Sequence, residues 1–177
     1  EQYLSAFALL LHASPFQLSA LSALPQLIGT GAQLASVKLL QWFPNRKALI
    51  SVGTVGQALA WIPILLLPLL LPQWGPWLIV GAAAVYFACA HFSTPAWNSL
   101  IADWIDQHER GAYFARRAQI IASVSFFSLC GAGWVLSLWQ DSTAAWWGFV
   151  VIFSVAGAAR LLSVMALSPI QDIHPTA

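Results

Sequence analysis

Acidic and basic side chains are scarce in this chain, six and seven in 177 residues, so the spacing of the few decides what chemistry is open to it. Glu1, Ser5, Ala8 and His12 are separated by four, three and four residues, which at ~100° per residue places them in one helical stripe about 60° wide. A carboxylate and an imidazole on one face could load and release protons. His91 and Asn98, seven apart, share a face of a later segment with Pro95. Asp103 precedes Arg110, Arg116 and Arg117, a set from which ion pairs could form and break.

The elements carrying these residues are apolar. Hydrophobic residues make up 59% of the chain and charged residues 7%, against roughly 25% charged in a soluble domain, so too few charges exist to coat a water-facing surface. Lipid must cover most of it. The apolar runs fall at 1–13, about 16–41, 48–71, 76–98, 118–139 and 144–168, and a spanning helix needs about 20 residues. The expected fold is therefore all-α: a polytopic transmembrane bundle of six helices in a single membrane domain, 1–177, with the first helix cut short and the chain read as a fragment. A basic n-region is missing at the N-terminus, so no cleavable signal is read there.

Every Lys and Arg lies in or beside alternate gaps between these runs. Lys38, Arg46 and Lys47 flank the gap 42–47, Arg110, Arg116 and Arg117 the gap 99–117, and Arg160 stands near the end of the last run. Basic loops stay cytoplasmic, so these gaps are expected inside and the uncharged turns outside. Ser14-Pro15, Pro44-Asn45, Pro72, Gly75-Pro76 and Asp141-Ser142 are turn or breaker signals between runs. Trp74, Trp77, Trp139, Trp146 and Trp147 at the outer ends, with Trp42, Trp97 and Trp104 at the inner, form aromatic belts. Pro63 and Pro68 fall inside the third run and are expected to kink it rather than break it.

Ser19, Ser22, Gln26, Gly29, Thr30, Gln33 and Ser36 recur at helical spacing, a small and polar stripe that serves either helix packing or a solute surface. Gly53 with Gly56 and Gly131 with Gly133 are weaker versions of the packing signal. Arg160 lies about eight residues from the end of its run. It either snorkels to the headgroups or faces inward to an acid or an anionic substrate. Lys38, closer to its end, is read as snorkelling.

The stretch from Pro95 through Trp97, Asp103, Arg110-Gly111 and Tyr113-Phe114 to Arg116-Arg117 resembles the loop between helices four and five in bacterial transporters of the major facilitator superfamily. There a Pro-x-Trp helix end, an Asp, an Arg-Gly pair and an aromatic-x-Arg-Arg helix start recur. Trp42 to Lys47 stands where that superfamily has a basic signature, and only Arg46-Lys47 matches it; Lys38 and Trp42 replace the usual Gly and Asp. The resemblance spans essentially the whole chain as the N-terminal six helices of twelve. It implies two inverted three-helix repeats, alternating access of a small solute at the bilayer midplane, residence in the bacterial inner membrane (plasma membrane), and the need for a C-terminal half or a second copy. Under it, Glu1, Ser5, His12, His91 and Asn98 are substrate or coupling candidates, and Asp103, Arg110, Arg116 and Arg117 form a cytoplasmic gate in which Asp103 pairs with one of those arginines in one state and loses that partner in the other. A lone His such as His91 is either hydrogen-bonded packing or a proton relay. Glu1, ~18 Å from the outer end at 1.5 Å per residue, would sit near mid-membrane, where a carboxylate needs protonation or a partner.

Enzyme chemistry is not expected. No Gly is followed two positions later by Ser, and HExxH is missing. Asn98, Asp103 and Asp106 are spaced by five and three rather than the four of the Mg-diphosphate motif in membrane prenyltransferases. Cys89 and Cys130 lack CxxC spacing, so neither metal nor cofactor is indicated. The few basic residues are split between two short gaps, which gives no nucleic-acid surface. A non-transporting scaffold or receptor-like protein on the same fold is the alternative, since fold does not imply function.

Overall fold

The computed structural model describes residues 3–42, 45–139 and 145–167, with only the backbone of Leu67. These form α1 (Tyr3–Leu10), α2 (Pro15–Trp42), α3 (Arg46–Leu70), α4 (Gly75–Trp104), α5 (Arg110–Ser137) and α6 (Ala145–Leu167), with a 3-10 turn at Pro72–Trp74, and no strand occurs among the described residues. Four stretches are long and apolar enough to cross a membrane: α3, the turn with α4, α5 and α6. The protein is an all-helical membrane protein. At 28 residues α2 has the length, but its Ser, Thr and Gln residues leave it no stretch as apolar as those in these four.

Local chemistry accounts for the helix ends. Ser14 and Gln17 cap α2 reciprocally: the Ser14 N–H donates to Gln17 Oε1 at 2.8 Å, the Gln17 N–H donates to Ser14 Oγ at 3.3 Å, and Pro15 takes the first helical position. Asn45 Oδ1 accepts from the Ala48 N–H at 2.9 Å to start α3. At the end of α1 His12 takes a left-handed φ of 58°, with the Ala13 N–H donating to Ala8 O at 3.0 Å and the His12 N–H to Leu9 O at 2.9 Å. His12 therefore terminates the helix instead of continuing the Glu1, Ser5, Ala8 stripe, and its side chain is exposed.

Helices outlast the apolar runs. The expected loop 99–117 is helical except for 105–109, because α4 continues to Trp104 and α5 begins at Arg110. Hydropathy reports where lipid ends, whereas the backbone ladder stops only where a breaker or a competing bond intervenes. The Glu109 and Arg110 N–H groups turn back onto Asp106 O at 2.9 and 3.1 Å. Pro25, Pro63, Pro68 and Pro95 all lie inside continuous helices.

At the centre α4 packs along both α2 and α3, and α3 packs along α6. Glycines set the approach. A Cβ at Gly53 would lie 1.9 Å from Ser93 Oγ and 2.7 Å from Cys89 O, and one at Gly56 2.5 Å from Cys89 Sγ. The Gly53 and Gly56 pair thus marks the tight α3–α4 contact, while a Cβ at Gly131 would meet nothing within 4 Å. On α2 the buried seam is Ala20, Leu21, Pro25, Gly29 and Ser36. Ser19, Ser22, Gln26 and Thr30, expected on the packing stripe, are exposed. Their displacement has a local reason: Ser19, Ser22 and Thr30 donate to the carbonyls of Pro15, Leu18 and Gln26, four residues back, so no neighbouring helix is needed to satisfy those protons.

Toward the end where α3 finishes and α4 starts, Phe7 sits with ring centroids 5.1 Å from Trp146 and Phe149 and 5.2 Å from Phe153, and Trp61 stacks on Phe153 at 5.1 Å. A smaller cluster of Leu49, Ile50, Ala96, Leu100 and Leu167 closes the other end, where the arginines lie. Exposed indoles stand at both ends, Trp42 and Trp104 at this basic end and Trp74, Trp77 and Trp147 opposite. In contrast α5 buries no residue; Tyr3 anchors it by donating to Leu129 O at 2.7 Å.

Candidate solute cavity

A cavity of about 700 Å³ opens between α3, α4, α5 and α6 in the basic half of the bundle. Its polar lining comes from Thr54 and Gln57 on α3, Asn98 on α4, Arg117 on α5, and Arg160 and Ser163 on α6, among others. Gln57 stands ~16 Å along α3 from Arg46 at about 1.5 Å per residue, so the cavity extends from the basic end to about the middle of a hydrocarbon core roughly 30 Å thick.

Arg160 is held at this wall. Its Nη2 and Nε donate to the Tyr86 hydroxyl at 3.0 and 3.3 Å, and the guanidinium lies 5.8 Å from that ring's centroid. Tyr86 itself is 2% exposed, its ring tilted against Trp61 within the aromatic core. Arg160 lines the cavity, and its partner there is the neutral Tyr86 hydroxyl rather than an acid. Arg117 sits with its guanidinium 5.9 Å from the centroid of the Trp97 ring, a cation–π arrangement that holds a charge without neutralising it. Among the described residues no acidic side chain lines the cavity, and neither Arg117 nor Arg160 has a carboxylate partner.

Gln57 is 4% exposed and its Oε1 has no hydrogen-bond partner among the described residues. Leaving a buried acceptor unmet costs about 1–3 kcal/mol. Trp97 Nε1 is a second unmet polar atom on the same wall. The hydroxyls nearby are already committed as donors: Thr54 to Ile50 O at 2.8 Å, Ser93 to Cys89 O and Thr94 to Ala90 O at 3.0 Å.

Asp103 does not pair with Arg110, Arg116 or Arg117. Its partner is Arg46, whose Nη1 also donates to Ser99 Oγ at 3.2 Å, so the ion pair ties the start of α3 to the end of α4. The reason is that α4 runs helical through Asp103 and packs on α3, which carries the carboxylate to the neighbouring helix before the chain turns. Arg110 folds back instead to cap α4, donating to Ala102 O at 2.6 Å and Ile105 O at 3.1 Å, an arginine satisfying orphan carbonyls at a helix end. Arg116 is exposed.

The remaining candidates are dispersed. His91 Nδ1 lies 3.2 Å from Gln33 Oε1, stacked against Phe87 and pressed where a Cβ at Gly29 would come within 2.8 Å of its ring, which makes it an α2–α4 packing residue. Asn98 lines the cavity, so the two members of the His91 and Asn98 pair serve different surfaces. Ser5 is exposed on α1, and Glu1 lies outside the described residues. Gln57 was missed from the sequence; a lone amide in an apolar run was the available signal.

If Tyr86 positions Arg160, Tyr86→Phe removes the hydroxyl acceptor while keeping the ring. The expected result is a loss of about 1 kcal/mol of stability, read as a lower Tm in detergent, with the protein still monodisperse. An unchanged Tm would show the contact to be energetically idle.

Compared with known proteins, the chain matches no family model, no curated protein and no solved structure.

Proposed function

We propose that this chain is the N-terminal six-helix half of a secondary active transporter, a permease of the major facilitator superfamily moving a small solute by alternating access in a bacterial inner membrane. The observation that carries this reading is the polar cavity reaching mid-membrane depth inside a bundle of apolar helices, since polar and charged groups at that depth are costly unless they serve a pathway. The exposed Ser19, Ser22, Gln26 and Thr30 on α2, together with the uncovered α5, support pairing with a C-terminal half or a second copy. Alternating access then consists of rocking between the paired halves.

Accessibility tests the reading without a known substrate. With Cys89 and Cys130 replaced by Ala, single cysteines at Thr94 and Ser163 are expected to react with an impermeant maleimide from the basic side, and to be protected when the transporter turns over to face the other way. Labelling that stays constant under every gradient and solute would favour the non-transporting scaffold. Arg117→Ala is expected to lower transport rate more than surface expression, because Arg117 lines the cavity; equal losses would assign it a topological role alone.

A further inference from the structure

We propose that the cavity is an anion site: it binds the carboxylate or phosphate group of a small molecule between the guanidinium groups of Arg117 and Arg160, with the Gln57 amide binding a neutral polar group of the same molecule at the deep end. The proposal rests on the transport reading for its role in a cycle, though the site stands on its own geometry.

Two cations line one cavity, and among the described residues no carboxylate stands opposite them. Two arginines lining one cavity between apolar helices favour an anion there, because a charge without a counter-charge is costly in such surroundings. Arg160 spends Nε and Nη2 on the Tyr86 hydroxyl, a neutral acceptor, so its charge is oriented but not cancelled. Arg117 rests on the Trp97 face at 5.9 Å, which likewise leaves its in-plane N–H donors for a planar or tetrahedral oxyanion. Gln57, buried at 4% exposure with Oε1 unmet, gives the cavity a third anchor that accepts rather than donates. An anion lacking any donor would leave that oxygen unsatisfied, so the favoured ligand carries a hydroxyl, amide or amino group as well as its acid. Trp97 Nε1 is available as a further donor at the same wall.

The anionic group could belong to a soluble metabolite or to a lipid headgroup reaching in from the basic side. The full chain in neutral phosphatidylcholine nanodiscs separates these sources. Titrated with malate and with inorganic phosphate, at constant ionic strength, it is expected to bind saturably, read by calorimetry; malamide, the neutral diamide of malate, is expected to bind at least ~10-fold more weakly. That comparison needs no variant. Arg160→Gln and Arg117→Gln are each expected to weaken malate binding about 10-fold, with Arg160→Lys intermediate because it keeps the charge and loses the fork. Gln57→Leu is expected to lower affinity for malate more than for phosphate. Replacing part of the lipid with phosphatidylglycerol leaves malate binding intact if the ligand is soluble. If phosphatidylglycerol alone occupies the site, displacing no malate because none binds, the anion is a headgroup. Equal binding of malate and malamide, or no effect of either soluble or lipid anions on wild type, overturns the proposal. Failure of the transport reading looks different: anions bind as described, yet no labelled solute exchanges across proteoliposomes.

Discussion

Asp103→Asn is expected to destabilise the protein by about 2 kcal/mol, and by more than Arg46→Met does. Breaking a fully buried ion pair costs roughly 3–5 kcal/mol, while exposed pairs contribute about 0–1 kcal/mol. This pair lies between the two limits, since the Arg46 side chain is 10% exposed and that of Asp103 38%. Neutralising the carboxylate leaves the more buried guanidinium facing an amide; removing the guanidinium leaves a carboxylate that water can reach. The order of the two losses follows from that asymmetry. A double-mutant cycle by thermal melting of the full chain should show coupling between Asp103 and Arg46, and additivity between Asp103 and Arg117. Coupling to Arg117 instead would restore the gate expected from sequence and contradict the packing of α3 on α4.

The second large effect concerns a methyl group. Gly53→Ala places a Cβ 1.9 Å from Ser93 Oγ and 2.7 Å from the carbonyl oxygen of Cys89. A hydroxyl can rotate away, but a helix carbonyl moves only with its helix, so α3 and α4 must separate. Overpacking costs about 1–3 kcal/mol, and the backbone obstacle places this substitution at the upper end. Gly56→Ala meets Cys89 Sγ at 2.5 Å and Cys89 Cβ at 3.3 Å, side-chain atoms that can give, and should cost less. Gly81→Ala, whose Cβ would meet nothing within 4 Å, is the control expected to leave Tm unchanged or slightly raised. Adding Ser93→Ala to Gly53→Ala should restore only part of the loss, because Cys89 O remains. Full restoration would show that the hydroxyl alone was the obstacle.

Both predictions depend on contacts across the α3–α4 seam, and they differ in how far the sequence foretold them. Gly53 and Gly56 were readable as a packing signal, because only small residues let helix backbones approach in lipid. Which of several small-residue sets would be used was not readable. The longer set on α2 mostly faces outward, and the short pair on α3 makes the tightest contact. Hydroxyls that satisfy themselves on their own helix leave no periodic trace of which way they face.

The amino-acid sequence by itself determined the solvent, the helical class and the number of helices, because these follow from sums over long windows: too few charges for water, and apolar runs separated by Pro, Gly and Asx-rich turns. It also placed turn signals at Ser14-Pro15 and Pro44-Asn45, whose effects reach only a few residues; that Ser14 and Asn45 cap α2 and α3 came with the structure. The tertiary structure alone decided the partners of the charged groups. Asp103 meets Arg46 across 57 residues and Arg160 meets Tyr86 across 74, and a spacing rule on one helix contains no information about the azimuth of another. Helix azimuth is set by side-chain packing summed over the whole seam, by Gly53 against Cys89 and by Phe7 among Trp146, Phe149 and Phe153. Only once that packing is satisfied do Gln57, Arg117 and Arg160, from three different helices, line one cavity.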